Sequence, residues 1–310
     1  MSPPRSKAWI GPALAIVGVL GFSFKAILIK LAYAWAPIDA VTLLALRMLY
    51  ATPFFALMAW FATRRRGAAA IGNADWMRIL WLGFIGYYLA SLVDFMGLQY
   101  VSAALERLML YLYPTLVVLL SALFFGQRIT GRIMLALGLS YAGILLVFAR
   151  DLSFAADPSR LWMGGVLVLA SSFFYALYLV GAGPVIARLG SARFIALAML
   201  ASAAFVFGQF LATRPPQALA VPLRIQLLSL TMAIFSTVLP TYLIAEAIRR
   251  IGASRTSLVG SLGPVFTIWL GWVILGEPMH WIQLAGAVLV LGGVALVTVR
   301  STGNRPLRDA

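Results

Sequence analysis

Long apolar stretches dominate the chain, and short segments rich in charge, Pro and Gly separate them. A helix that crosses the hydrocarbon core of a bilayer needs about 20 mostly apolar residues. Ten stretches satisfy this requirement: residues 9–32, 40–62, 76–99, 102–125, 131–149, 161–181, 192–212, 225–247, 254–275 and 280–299. The pattern predicts an all-α integral membrane protein with ten transmembrane helices.

Composition supports this interpretation and excludes the soluble classes. Of 310 residues, 63% are hydrophobic and only 11% are charged. A soluble domain is about 45–50% apolar and about 25% charged. The net charge of +15 would suggest nucleic-acid binding in a soluble protein. In a chain with many spans, such cations lie in loops and set orientation, so we expect a lipid bilayer as the surroundings and no nucleic-acid partner.

The cations fall unevenly on the two sides that ten spans would create. Sixteen lie on the side of the termini: Arg5, Lys7, Arg64, Arg65, Arg66, Arg78, Arg128, Arg132, Arg188, Arg193, Arg249, Arg250, Arg255, Arg300, Arg305 and Arg308. Five lie on the other side: Arg107, Arg150, Arg160, Arg214 and Arg224. Because positively charged loops stay in the cytoplasm, we expect a multi-pass protein of the cell inner (plasma) membrane with both termini cytoplasmic.

The residues needed for most enzyme and metal chemistry are scarce. The chain has no Cys and one His, His280, and it contains neither HExxH nor GxSxG. We therefore expect no metal site, no cofactor, no catalytic residue and no enzymatic activity. An intramembrane enzyme built on carboxylates is the distant alternative.

The sequence repeats itself at an offset of 150 residues. Residues 101–150 align without a gap to residues 251–300, with 11 identities in 50 positions. The matches include Pro114 with Pro264, Gly126 with Gly276 and Gly143 with Gly293. We expect two five-helix units, 1–150 and 151–310. An odd number of spans in each unit makes their orientations opposite, and inverted repeats are typical of secondary transporters.

Two related phrases carry a family resemblance. Residues Gly97–Pro114 read GLQYVSAALERLMLYLYP, and Ile251–Pro264 read IGASRTSLVGSLGP, with Leu275-Gly276-Glu277-Pro278 following. In both copies and across nearly the whole chain, the sequence resembles the EamA family of the drug/metabolite transporter superfamily. The resemblance implies export of small organic solutes, a class that includes amino acids, other metabolites and drugs. The first copy departs from the family wording at Phe125-Gly126-Gln127.

Several ionisable residues lie inside the predicted spans, where charge is costly and marks function or pairing. Lys25, Lys30 and Arg47 are the cations, and Asp94 and Glu106 are the carboxylates. One interpretation is structural: Arg47 pairs with Asp94 or Glu106, and Lys30 extends to the membrane interface. The other is functional: Asp94 and Glu106 load and release H⁺, because a carboxylate in a low-dielectric cavity holds its proton more strongly.

Polar and aromatic residues follow helical spacing in the third, fourth, sixth, eighth and ninth spans. We expect these spans to surround a cavity together with the first span, which contributes Gly18, Gly21 and Lys25. The candidate substrate-binding residues are Lys25, Arg47, Tyr87, Ser91, Asp94, Glu106, Tyr111, Tyr113, Tyr175, Tyr178, Thr237, Tyr242, Ser257 and Ser261. Pro114 and Pro264 are candidate hinges. The fifth and tenth spans are rich in Gly and are expected to pack closely, as scaffold or dimer contact.

The sequence thus predicts a secondary transporter that exports amino-acid-like or aromatic and amphipathic solutes by alternating access, with proton coupling as a further hypothesis. Tyrosine rings suit aromatic solutes and, through cation–π attraction, cationic ones. A multidrug or cationic efflux carrier is therefore the main alternative. The expected partners are a small-molecule solute, the bilayer and H⁺, in a monomer or a homodimer.

Overall fold

A computed structural model describes residues 9–64, 69–126, 129–252, 256 and 259–301, with the backbone alone for residues 297–301. The α-helices are α1 (Ile10–Trp35), α2 (Ala40–Thr63), α3 (Asn73–Gly83), α4 (Ala90–Gly97), α5 (Ala103–Leu110), α6 (Tyr113–Phe125), α7 (Gly131–Ser153), α8 (Pro158–Leu189), α9 (Ser191–Thr213), α10 (Leu223–Ala233), α11 (Leu239–Ile251), α12 (Gly263–Leu270) and α13 (Trp281–Ser301). Three π-helical segments, Phe84–Leu89, Ile234–Val238 and Gly271–Leu275, and a 3₁₀ turn, Pro216–Leu219, join them.

Eight continuous helical stretches in the described residues are long and apolar enough to cross a membrane: Ile10–Trp35, Ala40–Thr63, Asn73–Gly97, Ala103–Phe125, Gly131–Ser153, Pro158–Leu189, Ser191–Thr213 and Leu223–Ile251. Two shorter apolar helices follow, Gly263–Leu275 and Trp281–Leu296. The all-α, multi-pass architecture is as predicted. We call the end of the bundle that holds Ile10 the near end, and the end that holds Trp35 the far end.

Helices α7 and α13 pack directly against each other through small residues. A Cβ atom added at Gly143 would lie 2.6 Å from the carbonyl oxygen of Gly286. One added at Gly293 would lie 2.5 Å from the carbonyl oxygen of Ala136. Such close backbone approach needs glycine. The two Gly-rich stretches that were predicted as the fifth and tenth spans therefore contact each other within the chain.

Helix α1 packs antiparallel to α11. A Cβ at Gly18 would meet Ile244, and one at Gly21 would lie 2.5 Å from Pro240 Cγ and 2.6 Å from the carbonyl oxygen of Phe235. These glycines consequently serve helix packing, with no room left for a solute beside them. Helix α4 packs against α8 in a similar way, where a Cβ at Gly97 would lie 2.6 Å from Val168 Cγ2.

Several backbone features recur at a constant spacing of 150 residues. The π-helical segments begin at Phe84 and Ile234. Helices α6 and α12 begin at Tyr113 and Gly263, each after a two-residue turn and each with Pro in its first turn. Gly126 and Gly276 then end these stretches with φ of 63° and 66°, in the left-handed region that suits glycine. The contact of Gly143 with Gly286 likewise has its counterpart, with the halves exchanged, in that of Gly293 with Ala136.

Candidate functional site: a buried charge cluster beside a group of tyrosines

Lys25 of α1 lies between two carboxylates from other helices. Its Nζ donates a hydrogen bond to Asp94 Oδ2 of α4 at 2.6 Å and lies 3.3 Å from Glu106 Oε1 of α5. Glu106 is 0% exposed and Asp94 is 1% exposed. Asp94 Oδ1 and both Glu106 oxygens have no hydrogen-bond partner within the described chain. We call these three residues the charge cluster; it unites three of the predicted site residues.

The pairing of Arg47 predicted from sequence is wrong, because Lys25 holds both carboxylates. Arg47, which is 5% exposed, donates from Nη2 to Ser91 Oγ at 3.3 Å. Its guanidinium lies 5.1 Å from the ring centre of Phe95. In the residues that the structure covers, no carboxylate lies within ion-pair distance of Arg47. Arg47 is thus enclosed by its own neighbours.

Five predicted tyrosines form a continuous group of rings, which we call the tyrosine cluster. The ring centres lie 6.2 Å apart for Tyr111 and Tyr113, 5.3 Å for Tyr113 and Tyr175, and 5.6 Å for Tyr175 and Tyr178. Tyr87 and Tyr178 lie 4.9 Å apart, and their hydroxyls share a hydrogen bond of 2.9 Å. The cluster joins the third and fourth spans to α8, and it offers aromatic faces to a solute.

Tyr87, Ser91 and Asp94 follow helical spacing along the third span, but their side chains contact three different helices. Tyr87 contacts α8, Ser91 contacts α2, and Asp94 contacts α1. The π-helical segment at Phe84–Leu89 accounts for the separation of Tyr87 from the two later residues, because an i→i+5 turn rotates the following residues relative to regular α-helical spacing. Ser91 and Asp94 both lie in the α-helix after it and contact neighbouring helices.

Both predicted hinge prolines follow a break in their helix. Pro114 cannot donate to the carbonyl of Leu110, and Ser172 Oγ of α8 donates to that oxygen at 3.2 Å instead. On the other side, Ser23 Oγ of α1 donates to the carbonyl of Gly263 at 3.1 Å, just before Pro264. A serine from the opposite half of the chain thus donates a hydrogen bond to a carbonyl beside each break.

Three further predicted residues in the described chain are not members of either cluster. Thr237 donates its hydroxyl to the carbonyl of Met232 at 3.1 Å, inside its own helix. Tyr242 is 63% exposed. Ser261 lies in the turn before α12. Ser257 lies outside the described residues.

Sequence reasoning missed Arg107, which it had counted among the orienting cations. A Cβ atom added at Gly263 would lie 2.8 Å from Arg107 Nη2 and 3.3 Å from Nε, so the guanidinium rests on the backbone of α12. The side chain is partly buried, and its Nε has no hydrogen-bond partner in the described part of the chain. The available signal was its position on a predicted span, beside Glu106.

Sequence reasoning also gave no role to Glu277. Its carboxylate accepts hydrogen bonds from the backbone N–H of Ala103, at 3.1 Å to Oε1 and 3.2 Å to Oε2. Lys30 Nζ lies 3.5 Å from Glu277 Oε1 and donates to the carbonyl of Val101 at 2.7 Å. Lys30 is thus tied to the far end of the bundle by two polar contacts.

An apolar groove of about 480 Å³ lies on another face of α8. Trp81, Phe84, Phe124, Phe174 and Leu177 are among its lining residues, and none of the lining side chains is ionisable. The groove can offer contact area to an apolar molecule, but it has no group that would distinguish charged solutes. We therefore place the candidate site at the charge and tyrosine clusters.

The family match decides the identity of the chain. The EamA-like transporter family matches twice, at residues 9–149 and 162–299. The chain belongs to the EamA-like transporter family. It is accordingly a multi-pass membrane protein of a transporter family.

Relatives of this EamA-family member carry transporter names without a stated solute. The uncharacterized transporter YcbK of Bacillus subtilis (strain 168) is 32% identical over 302 residues, which cover 94% of this chain and 92% of the relative. The uncharacterized transporter YyaM of the same organism is 28% identical over 214 residues, covering 69% and 70% of the two chains. A protein of known crystal structure aligns with a TM-score of 0.61 at 21% identity, covering 98% of this chain and 100% of its own; this likeness concerns the fold.

Proposed function

We propose that this EamA-family member is a secondary transporter that exports small aromatic or amphipathic organic solutes by alternating access. The observation that carries the proposal is the position of the charge cluster and the tyrosine cluster, next to the helix breaks before Pro114 and Pro264. Inverted-repeat transporters bind their solute where spans are interrupted, near the interface of the repeats.

The proposal includes ten spans in two inverted five-span repeats, residues 1–150 and 151–310. The backbone features that recur every 150 residues support it, as do the two separate family matches. The reciprocal contacts of Gly143 and Gly293 fit a two-fold relation between the halves. On this basis the shorter helices Gly263–Leu275 and Trp281–Leu296 belong to the ninth and tenth spans.

Alternating access requires each end of the bundle to open in turn. Glu277 of the second half holds Ala103 and Lys30 of the first half at the far end. We regard this contact as a latch that closes the far end, and Pro114 and Pro264 as the hinges. With both termini in the cytoplasm of a bacterial-type inner membrane, the far end faces outward, so release of an exported solute requires the latch to open.

Proton coupling is assigned to Asp94 and Glu106. Two buried carboxylates share one ammonium, and three of their oxygens lack a hydrogen-bond donor in the described chain. A proton bound by either acid would satisfy an oxygen and leave a single ion pair with Lys25.

A cationic efflux carrier is the second candidate, and the paired carboxylates are the observation that favours it. An ammonium or quaternary ammonium solute would displace Lys25 from Asp94 and bind the tyrosine faces. Measured preference between aromatic acids and aromatic amines separates this candidate from the first. Among the described residues, no group of three His, Cys, Asp or Glu could hold a metal ion, and the chemistry of the clusters is that of solute binding.

The test is saturable counterflow of aromatic amino acids, nucleobases and cationic drugs in proteoliposomes that contain the purified protein. Tyr175→Ala removes a central ring and should lower flux about 3–10-fold, since aromatic contacts contribute about 0.5–1.5 kcal/mol each. Phe173→Ala is the matched control, because Phe173 lies on the same helix and is 40% exposed. A lack of saturable flux for every solute would reject the transporter proposal.

Coupling is tested with Asp94→Asn combined with Glu106→Gln. Flux in the double variant should lose its dependence on an imposed proton gradient while retaining counterflow. A double variant that keeps the full dependence would show that the protons bind elsewhere.

A further inference from the structure

The cations near the candidate site differ in how far their charge is already compensated. Lys25 contacts two carboxylates, at 2.6 and 3.3 Å. Arg47 makes no ion pair and its buried Nε has no acceptor among the described residues, but its Nη2 donates to Ser91 Oγ and its guanidinium lies over the Phe95 ring. Arg107 makes no ion pair within the described residues, and its buried Nε has no acceptor there. A guanidinium carries five N–H donors, and burying them without acceptors is costly. Among the described residues, Arg47 and Arg107 both lack an anionic partner, and Arg107 is the one whose guanidinium reaches the other half of the chain, at Gly263.

The position of Arg107 brings its guanidinium against the other half of the chain. Neighbouring residues of a helix do not share a face, so Arg107 and Glu106 extend in different directions from α5. The guanidinium reaches the other half of the chain, where it touches the backbone of Gly263 at the start of α12. The N-terminus of α12 adds backbone N–H groups and a favourable dipole for a negative charge at the same place. These features together suit an anion.

Aromatic rings surround the same point. Tyr111 follows Arg107 by one helical turn, with its N–H donating to the Arg107 carbonyl at 3.1 Å, and its ring contacts Tyr113, whose ring contacts Tyr175. The Tyr111 hydroxyl reaches across to the ninth span, where a Cβ added at Gly260 would lie 3.4 Å from it. A molecule with an aromatic body and one negative group could thus place its ring on the tyrosines and its charge on the guanidinium.

We propose that Arg107 is the anchor for a carboxylate of the transported solute, and that the solutes are small aromatic carboxylates, amino acids included. This inference rests on the proposed transport function. Guanidinium and carboxylate groups form two parallel hydrogen bonds, which fix orientation as well as charge. The same arrangement disfavours a simple aromatic amine, which would meet the guanidinium with like charge.

The test compares three probes on the purified full-length protein: 3-phenylpropionate, phenylalanine and 2-phenylethylamine. Binding is measured by the ligand-induced shift in thermal unfolding and by competition in counterflow. The wild type should bind both carboxylates more tightly than the amine. Arg107→Gln should weaken binding of the carboxylates about 10–100-fold, the range expected for hydrogen bonds to a charged group. It should leave binding of the amine unchanged or improved.

Two further variants make the result specific. Arg107→Lys keeps the charge without the planar pair of donors, so it should recover part of the lost affinity. Arg160→Gln is the matched control, because Arg160 pairs with Asp157 on the surface at the same end of the bundle, and it should change nothing. If Arg107→Gln does not fold, the order of the three probes on the wild type and on Arg107→Lys still decides.

The outcomes separate this inference from the function on which it rests. Saturable flux combined with amine-selective binding, or with unchanged carboxylate affinity in folded Arg107→Gln, would overturn the role of Arg107 and leave transport standing. Absence of saturable flux for all probes and solutes would overturn the transport function itself.

Discussion

The Glu277 carboxylate accepts the backbone N–H of Ala103 at 3.1 Å, although 174 residues separate them in the chain. The contact satisfies an amide at the start of α5, where helical N–H groups lack partners. It also brings Glu277 to 3.5 Å from Lys30. One carboxylate thus connects the two halves through a helix start and an ion pair.

Replacement of this carboxylate should loosen the far end. Glu277→Ala leaves the Ala103 amide and Lys30 without their acceptor, so we expect a loss of unfolding free energy of about 1–3 kcal/mol. The chain has no Cys, so a single Val101→Cys, at a site 1% exposed, can report on opening by its rate of reaction with a maleimide. That rate should rise in Glu277→Ala. Glu246→Ala breaks ion pairs within one helix at the near end, and it should leave the rate of maleimide reaction unchanged. Equal rates in Val101→Cys alone and in combination with Glu277→Ala or Glu246→Ala would contradict the latch.

Removing the cation of the charge cluster should lower the unfolding free energy more than removing the cation together with one carboxylate. Lys25→Met leaves Asp94 and Glu106 buried without their shared cation, and breaking a buried pair in this way costs about 3–5 kcal/mol. Adding Asp94→Asn removes one of the uncompensated charges, so the double variant should regain part of the stability. Chemical unfolding in detergent measures both. Arg160→Met, at an exposed pair, is the control, with an expected cost of about 0–1 kcal/mol. A double variant no more stable than Lys25→Met would contradict the shared role.

The tyrosine hydroxyls should show the asymmetry of a buried hydrogen bond. Tyr87→Phe or Tyr178→Phe leaves the other hydroxyl without its 2.9 Å partner, and either change should lower the unfolding free energy by about 1 kcal/mol. In the double variant, the second substitution should add almost no further loss of unfolding free energy. A double-mutant cycle on the unfolding free energy gives the coupling. Independent, additive effects would mean that the hydroxyls do not depend on each other.

Much of the fold can be predicted from the sequence, because the apolar length of each span and the internal repeat at an offset of 150 residues can both be recognised in it. The tyrosine cluster was also accessible, since Tyr175 and Tyr178 lie one turn apart on a predicted span. Helical spacing nevertheless failed at Tyr87, Ser91 and Asp94. The π-helical turn before Ala90 rotates the following residues about the helix axis. No pattern in the sequence predicted this turn.

The choice of ion-pair partners could not be derived from the chain alone. Arg47 and Lys25 lie at comparable depth to Asp94, and only helix packing decides between them. The Gly18 and Gly21 contacts bring α1 against α11, and Lys25 then meets Asp94. Glu277 and Arg107 were missed for a related reason. Each contacts the backbone of a residue in the opposite half, Ala103 and Gly263 respectively, and contacts with the backbone cannot be predicted from residue type.

The glycines of α7 and α13 provide a contrast within the same helices. Gly143→Ala and Gly293→Ala would place a methyl group against the facing backbone, and such overpacking costs about 1–3 kcal/mol. Gly138→Ala and Gly292→Ala are the controls, because a Cβ at either position has no atom within 4 Å. Alanine favours the helix by up to about 1 kcal/mol over glycine, so these controls should be neutral or stabilising. The order of four thermal unfolding midpoints checks the contact, and destabilised controls would contradict it.

Asp39 should make stability depend on pH in the acidic range. Its Oδ1 accepts the backbone N–H of Val41 at 3.0 Å at the start of α2, and its Oδ2 lies 3.2 Å from Arg214 Nε. Partial burial would raise the pKa of Asp39, but hydrogen bonds from Thr42 and Arg214 outweigh it and hold that pKa below its ordinary value.

A carboxyl with a lowered folded-state pKa contributes stability at neutral pH and loses it as the pH falls through that pKa. Thermal stability should therefore decline as the pH falls below about 4, the ordinary value for Asp. Asp39→Asn keeps a good helix cap but cannot titrate, so its stability should be lower at neutral pH and should fall less steeply in acid. Arg214→Gln keeps the carboxyl and removes its cation, so the folded-state pKa of Asp39 should rise toward its ordinary value and the loss of stability in acid should become smaller. Parallel pH profiles for all three proteins would show that Asp39 does not contribute to the acid dependence.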